Sequence, residues 1–540
     1  MNQDGCILVV DDDVVIIRII TNILQRNGYL TETCNSGEEA LALVKANEYD
    51  LVLLDVQMGS GMDGYQTCKA INKIKRDLPV ILVTANQDDE SVNKGFLSGS
   101  SDYIKKPVSK LELLARVNKT ISLKRTEKNN LQLIDDLSKD LRTAANIQEA
   151  MLPKWVYLDN EVMFSSYYHP SESVGGDLYD RIKLSEDQYV VYIGDISGHG
   201  VQAALLMTAI KSIIKIMVEN DKEGLDLPRL VTRLNERVSQ ELFISNNYMT
   251  LLIGVIDTNT KEFTYLNAGH PPLVLIDTLS GTAQVIDSKG SMPLGWLPKA
   301  QYESDELGVI PITEHSIFLL YTDGIYECEN DENKEFGMEG LLYILNERLI
   351  TDNCVSLPYK IKQYMTEYKY RTSSDDYTLF AFQKQKMMLK TESTEHNAEG
   401  KAIHYMITLS AALKEVSKTA QSCEKMIQQW TGNSILAAKT ELIVDEFLNN
   451  IIQHGYGFED DSAIMIEFLI KEDKLCIKFW DKGIEWNPVE DVYSKENPYD
   501  FEHDVYDING KGVKIIMSMS DKFHRTRYDV LNETSVQIDL

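Results

Sequence analysis

Cys6-Ile-Leu-Val-Val-Asp-Asp-Asp13 is a run of five apolar residues stopped by three carboxylates. An unbroken apolar run of this length suits a strand buried on both faces. The same form returns in YDLVLLD (49–55), PVILVTA (79–85) and DYIKKP (102–107), with amphipathic stretches between them, from Cys6 to about Ser122. That alternation predicts a parallel sheet flanked by helices, the doubly wound α/β arrangement. Such sheets gather their chemistry at the C-terminal ends of the strands. Asp11 and Asp12 end the first run and Asp55 ends the third, so these carboxylates converge. Held close, they repel one another unless a divalent cation neutralises them, and a hard ion such as Mg2+ fits oxygen ligands. Thr84 ends the fourth run and Lys106 precedes Pro107, offering a hydroxyl and a cation to an added phosphoryl group.

In this order the residues resemble the receiver domain of response regulators over residues 1–122, with a flavodoxin-like fold. The resemblance implies that Asp55 is the phosphoacceptor, charged by an upstream sensor histidine kinase. It also implies that Asp12 with Asp11 holds Mg2+, that Lys106 pairs with the phosphoryl group, and that Thr84 and Tyr103 move on activation. After Met58 the chain reads Gly59-Ser60-Gly61, one residue longer than the family usually shows, which leaves the reacting groups intact.

Residues 123–150 turn polar and helical, with Ile134, Leu137, Leu141, Ala144, Gln148 and Met151 at alternating spacings of three and four. This is a heptad-like seam. A helix packed on the following domain and a coiled coil joining two copies into a homodimer both fit it.

Residues 151–385 alternate as strands, interrupted by a helical run from Val201 (VQAALLMTAIKSIIKIMV). The segment carries VGGDLYD with Asp177, GDISGHG with Asp195, YTDG with Asp323 and SSDDYT with Asp375 and Asp376. Acids drawn from distant segments suit hard cations, and two such ions can activate a water and aim it at phosphorus. The blocks, with IQEAMLP (147–153) and NAGHPP (267–272), resemble the metal-dependent serine/threonine phosphatases (PPM), in the bacterial branch acting on anti-sigma-factor antagonists. The resemblance implies an αββα layered fold and a centre of two Mn2+ or Mg2+. Asp177, Asp195, the Ile196 carbonyl, Asp323 and Asp375 would be its ligands, with Asp375 preferred to Asp376. His199 is a candidate helper near the metals, and His270 a turn-stabilising residue.

Residues 386–402 are polar and aperiodic, a predicted linker. Beyond it, in ELIVDEFLNNIIQHG (441–455), Glu446 and Asn450 share one helical face. A carboxylate there can take a hydroxyl proton, and an amide oxygen can hold Mg2+ against ATP phosphates. Asp481 ends a strand-like run with Gly483 close behind, and Gly510 and Gly512 open a helical stretch, where backbone NH groups suit phosphate. Residues 403–540 resemble the GHKL ATPases, an α/β sandwich, and among them the anti-sigma-factor serine kinases. Glu485 stands where many relatives carry a second glycine, whereas Trp486-Asn487-Pro488 fits the kinase subgroup. A histidine kinase would need a phosphoaccepting histidine on a helical hairpin, and His396 and His404 lie in a linker and at a strand start.

The net charge of -29 argues against a nucleic-acid surface. Seven scattered cysteines with no C-x-x-C pair read as buried thiols in a reducing compartment. No apolar run approaches the ~20 residues that span a bilayer, so a cytoplasmic protein is expected, with no membrane partner. The resemblances together imply a multidomain α/β response regulator governing partner switching. It would dephosphorylate, and in an opposed activity phosphorylate, a serine on a small anti-sigma-factor antagonist, under control of Asp55 phosphorylation. The alternative is a phosphatase whose C-terminal domain binds or sequesters a sigma factor or the antagonist without kinase activity.

Overall fold

The computed structural model describes residues 5–540 except 60, 86–93, 96, 160, 223, 245–246, 288–289, 350–352, 372–374, 386–402, 458, 472 and 485–515. The expected linker, Glu485 to Pro488, Gly510 and Gly512 lie outside the described residues. The chain divides into two compact units, Met1–Asp140 and Leu141–Leu540.

In the first unit β1 (Cys6–Val10), β2 (Leu30–Cys34), β3 (Leu51–Asp55), β4 (Val80–Thr84) and β5 (Asp102–Lys105) form one parallel sheet in the order β2-β1-β3-β4-β5. Helices α1 (Val14–Arg26), α2 (Gly37–Ala46) and α3 (Gly64–Ile74) connect its strands. β1, β3 and β4 read as nearly continuous apolar runs because both faces are covered. Leu8, Val10, Val52 and Leu54 pack in one core, and Ile7, Val9, Leu51 and Leu53 in the other. The carboxylate that ends β1 also starts a helix: Asp13 caps α1, accepting from the Val15 NH at 2.7 Å. A long helix, α4 (Lys110–Met151), follows β5. Within it Ile134 and Leu137 of the predicted seam are exposed, whereas Gln148 is buried.

The second unit begins with two antiparallel sheets. The strands are β6 (Val156–Leu158), β7 (Val162–His169), β8 (Leu178–Lys183), β9 (Gln188–Ile196), β10 (Met249–Asp257), β11 (Glu262–Ala268), β12 (Val274–Asp277), β13 (Thr282–Val285), β14 (Gly308–Pro311), β15 (Ser316–Tyr321) and β16 (Tyr377–Lys384). They pair in the orders β14-β11-β10-β9-β8 and β13-β12-β15-β16-β7-β6. Period-two alternation decides the layers. Tyr189, Val191 and Ile193 of β9 meet Phe164, Phe380 and Phe382 in the core between the sheets. Val190 and Tyr192 turn outward beneath α5 (Gly200–Asn220) and α6 (Leu227–Ile244), while Leu379 and Ala381 turn outward beneath α7 (Gly337–Glu347) and α8 (Leu357–Glu367). The result is αββα.

One expectation is corrected. Helix α5 has the length and hydropathy to cross a bilayer. Its apolar residues Ala203, Met207, Ile210, Ile214 and Val218 instead fill the core beneath the first sheet. Lys211 is buried with them, and its ammonium is held by the Tyr179 carbonyl at 2.7 Å and the Asp180 carboxylate at 2.5 Å. A core helix and a spanning helix share a hydropathy, and only the packing separates them.

The last sheet is antiparallel, in the order β17-β18-β19-β21-β20, from β17 (Ile403–Ala412), β18 (Glu459–Lys471), β19 (Lys474–Asp481), β20 (Lys522–Tyr528) and β21 (Leu531–Asp539). Helices α9 (Leu413–Thr431) and α10 (Ser434–Asn450) cover one face through Ile464, Ile466, Phe479 and Val536. The other face packs on the second sheet and α8 of the central layers through Met406, Ala463, Met465, Trp480 and Leu531. That shared core is why both regions fall in a single compact unit.

Candidate functional site

At the C-terminal edge of the first sheet, Asp11, Asp12 and Asp55 each bring an oxygen within 4.8 Å of the others. The Lys106 ammonium sits 2.9 Å from both Asp11 and Asp55. Asp12 accepts from the Gly59 NH at 2.9 Å, so the longer loop is tied to the acid cluster. Burial raises the Asp55 pKa, against the pull of Lys106 and with the push of Asp11. Burial works to lower the Lys106 pKa, but Asp55 and Asp11 outweigh it and raise it. Thr84 is buried at the end of β4, Cα-paired with Lys105, and Tyr103 carries the Arg116 guanidinium 5.2 Å from its ring centre.

In the central layers Asp195, near the end of β9, Asp323, in the turn after β15, and Asp375, just before β16, bring carboxylate oxygens within 4.8 Å of one another. Burial raises the pKa of each, and for Asp195 the charges of Asp323, Asp375 and Asp376 add to it. Asp177 lies behind them, wholly buried. Its Oδ2 accepts from the Thr378 hydroxyl at 2.6 Å and the Thr322 hydroxyl at 2.8 Å. Its Oδ1 is buried without a hydrogen-bond partner, as is Asp323 Oδ1. Crowded carboxylates with raised pKa values and unpartnered buried oxygens are a donor set suited to hard divalent cations.

The two acids of SSDDYT have separate tasks. Asp375 faces the cluster, whereas Asp376 grips backbone. Its Oδ1 accepts from Ser171 N at 2.7 Å and its Oδ2 from Gly176 N at 2.5 Å. A Cβ on Gly175 would stand 2.4 Å from Asp376 Oδ2, so glycine here lets the loop close onto that carboxylate. Gln148 of α4 clasps the same loop, donating to the Gly175 carbonyl at 2.7 Å and accepting from the Gly175 NH at 3.1 Å. Ile196 ends β9, and its carbonyl lies 3.0 Å from where a Gly176 Cβ would stand.

His199 is exposed, with Nδ1 2.8 Å from Glu172 Oε1. His270 is buried and bonds Thr250 through Nδ1 at 2.8 Å, a brace inside the turn. The sequence reading missed Thr322, Thr378, Gln148 and Glu172. Thr322, Thr378 and Gln148 lie in the quoted blocks YTDG, SSDDYT and IQEAMLP, and Glu172 stands just before VGGDLYD, so only the aim of each in space distinguishes it.

In the last sheet Asp481 ends β19 almost fully buried. Its Oδ1 accepts from Gly483 N at 2.9 Å and Asn532 Nδ2 at 2.8 Å. Its Oδ2 is buried without a hydrogen-bond partner, suited to receive an amino group. Glu446 and Asn450 lie on one face near the end of α10, which closes in a π turn at Ile451–Gly455. Burial, then Asp445, raises the Glu446 pKa, and Asn450 Nδ2 is buried without a partner. Gly483 meets Gly455 so closely that a Cβ on Gly483 would stand 2.7 Å from Gly455 Cα, which brings the end of α10 against the Asp481 loop.

Three family models match in chain order: the response regulator receiver domain over residues 7–118, stage II sporulation protein E (SpoIIE) over 185–385, and the histidine kinase-like ATPase domain over 409–538. The chain joins a receiver, a PPM-type phosphatase domain and a GHKL-type ATPase domain. The receiver region is similar to the transcriptional regulatory protein YvrH of Bacillus subtilis, at 38% identity over 138 residues, 25% of this chain and 57% of that protein. The phosphatase region is similar to the phosphoserine phosphatase RsbP of B. subtilis, at 28% identity, over 35% of this chain and 45% of that protein. The chain therefore spans about half the length of these curated relatives. The solved RsbU and RsbW domains of Rv1364c from Mycobacterium tuberculosis align with 72% of this chain and 94% of theirs, at 18% identity and a TM-score of 0.36.

Proposed function

We propose that this protein is a phosphorylation-controlled switch acting on one serine of a small anti-sigma-factor antagonist. Its PPM-type domain removes the phosphate and its GHKL-type domain restores it from ATP. A sensor histidine kinase charges Asp55, and the charge tilts the balance toward dephosphorylation through the helical segment 123–150.

The observation that carries the reading is the convergence of Asp195, Asp323 and Asp375 within 4.8 Å, with the unpartnered Asp177 Oδ1 behind them. Two Mn2+ or Mg2+ bound there would supply a water acidic enough to attack phosphorus at neutral pH. Asp177, Asp195, Asp323, Asp375 and the Ile196 carbonyl would hold these ions. Thr322 and Thr378 fix Asp177, and the Asp376 clamp fixes the loop that carries it.

For the opposed activity Glu446 would accept the serine proton and Asn450 would hold Mg2+ at the ATP phosphates. Asp481 would receive the adenine amino group on its Oδ2, which accepts no hydrogen bond within the protein and lies 3.8 Å from the Arg525 guanidinium. The name of RsbP, a phosphoserine phosphatase, supports a phosphoserine substrate for the central domain. We place this activity in the cytoplasm.

Mass spectrometry of the antagonist serine, with Mn2+ and ATP supplied separately to the full-length protein, tests both halves. Loss of phosphate with Mn2+ and gain with ATP is expected. An antagonist left unchanged by either overturns the reading. Glu446→Ala separates a kinase from a sequestering module: loss of labelling with binding retained identifies the kinase.

A further inference from the structure

The ATPase-type sheet is docked on the phosphatase by the face that its own helices leave uncovered, and hydrogen bonds cross that contact. Trp155 Nε1 donates to the Ala463 carbonyl at 2.8 Å, and the Tyr167 hydroxyl donates to Asp529 Oδ2 at 2.9 Å. Asp529 sits in the tight turn between β20 and β21, in left-handed backbone at φ 55°.

That turn connects in both directions. Toward the ATPase domain, Asn532 stands three residues further on and donates to Asp481 Oδ1 at 2.8 Å and to the Gly483 carbonyl at 3.0 Å. Lys482, between those two residues, places its ammonium 5.7 Å from the Tyr359 ring centre of the phosphatase. Toward the phosphatase, the Tyr167 ring stacks on Tyr377 at 5.7 Å and meets Tyr359 edge-on at 5.4 Å. Tyr377 directly follows Asp376, which clamps the Asp177 loop, and Asp375, which faces the carboxylate cluster. Asp481 and the phosphatase acids are thus joined by hydrogen bonds, one aromatic stack and two short lengths of backbone, all in close-packed surroundings that transmit small displacements.

We propose that the nucleotide site at Asp481 is also an effector site of the phosphatase. A Mg2+-bound adenine nucleotide there changes turnover at the Asp195–Asp323–Asp375 centre through Asn532, Asp529 and Tyr167. The inference rests on the reading of Asp481 as an adenine site. It adds to that reading a second task for the ligand, which needs no phosphoryl transfer.

The test uses the full-length protein, ADP with excess Mg2+ to exclude phosphoryl donation, and p-nitrophenyl phosphate with saturating Mn2+ as the phosphatase assay. ADP binding is followed separately by calorimetry. ADP is expected to bind and to change the phosphatase rate by about fivefold or more. Asp481→Asn is expected to abolish both the binding and the rate change. Tyr167→Phe, which keeps the ring stack and removes the hydrogen bond to Asp529, is expected to keep ADP binding and the basal rate while losing most of the ADP effect. ADP bound with an unchanged rate overturns the coupling and leaves the nucleotide site standing. An equal response in Asp481→Asn, or an undiminished one in Tyr167→Phe, overturns the route. Absence of ADP binding overturns the nucleotide site and this proposal with it.

Discussion

The Thr378 hydroxyl donates to Asp177 Oδ2 at 2.6 Å and leaves Asp177 Oδ1 buried and unpartnered. One oxygen of the carboxylate is anchored and the other is available. Groups that orient a metal ligand from behind govern affinity nearly as strongly as the ligand itself. Thr378→Val keeps the shape and deletes the donor. We expect its Mn2+ requirement in the phosphatase assay to rise by about 10- to 100-fold, with the maximal rate at saturating Mn2+ largely recovered. An unchanged Mn2+ titration would remove Thr378 from the site.

Gln148 makes two hydrogen bonds to the backbone of Gly175, in the loop that carries Asp177. Gln148→Ala leaves a buried NH and carbonyl unpaired, a cost of about 1–3 kcal/mol each. Phosphatase turnover is expected to fall about tenfold, as a small displacement of a positioned group produces. Thermal unfolding and turnover measured on the same preparation check this: a variant with lower stability and full turnover contradicts it.

Gly483→Ala places a methyl 2.7 Å from Gly455 Cα and 3.0 Å from Asp481 Oδ1, and Gly455 has no side chain to move aside. Overpacking of this kind costs about 1–3 kcal/mol. It forces the Asp481 loop away from the end of α10. Calorimetry with ADP is expected to show lost binding while phosphatase turnover without nucleotide is kept. Unimpaired ADP binding would show that the two glycines do not set the site.

His270 is buried, and burial lowers its pKa to about 3. In the unfolded chain an imidazole titrates near 6.5. Between these values the unfolded chain binds a proton that the folded chain refuses, so stability falls as pH falls from about 6.5 toward 3. At pH 5 the loss from this one residue is about 2 kcal/mol. Denaturant unfolding of His270→Gln against the parent at pH 7 and pH 5 should show the variant losing less stability on acidification. Equal losses would mean that His270 is protonated in the folded protein.

The strands were legible wherever both faces are buried, since CILVV, LVLL and VILV run apolar without a break. The acids were legible because each stands in a short block with a fixed neighbour. Thr322 and Thr378 were not, because a threonine beside an aspartate has the same local sequence whether it points at solvent or at a carboxylate 145 or 201 residues away. The setting of helix α5 was not legible for a related reason, as hydropathy reports how apolar a helix is and not what surrounds it. Met465 and Trp480 bury a second face of the last sheet against the phosphatase layer, a contact the sequence reading did not anticipate.

Local order fixed the element types and the three successive domain types, because side-chain period and backbone preference act over a few residues. Long-range closure decided the rest. Asp195, Asp323 and Asp375 come together, Asp376 turns to the backbone, and Tyr167 reaches Asp529 across 362 residues, only because two sheets pack face to face and a third docks on their outer side. Those meetings depend on the mutual fit of buried surfaces.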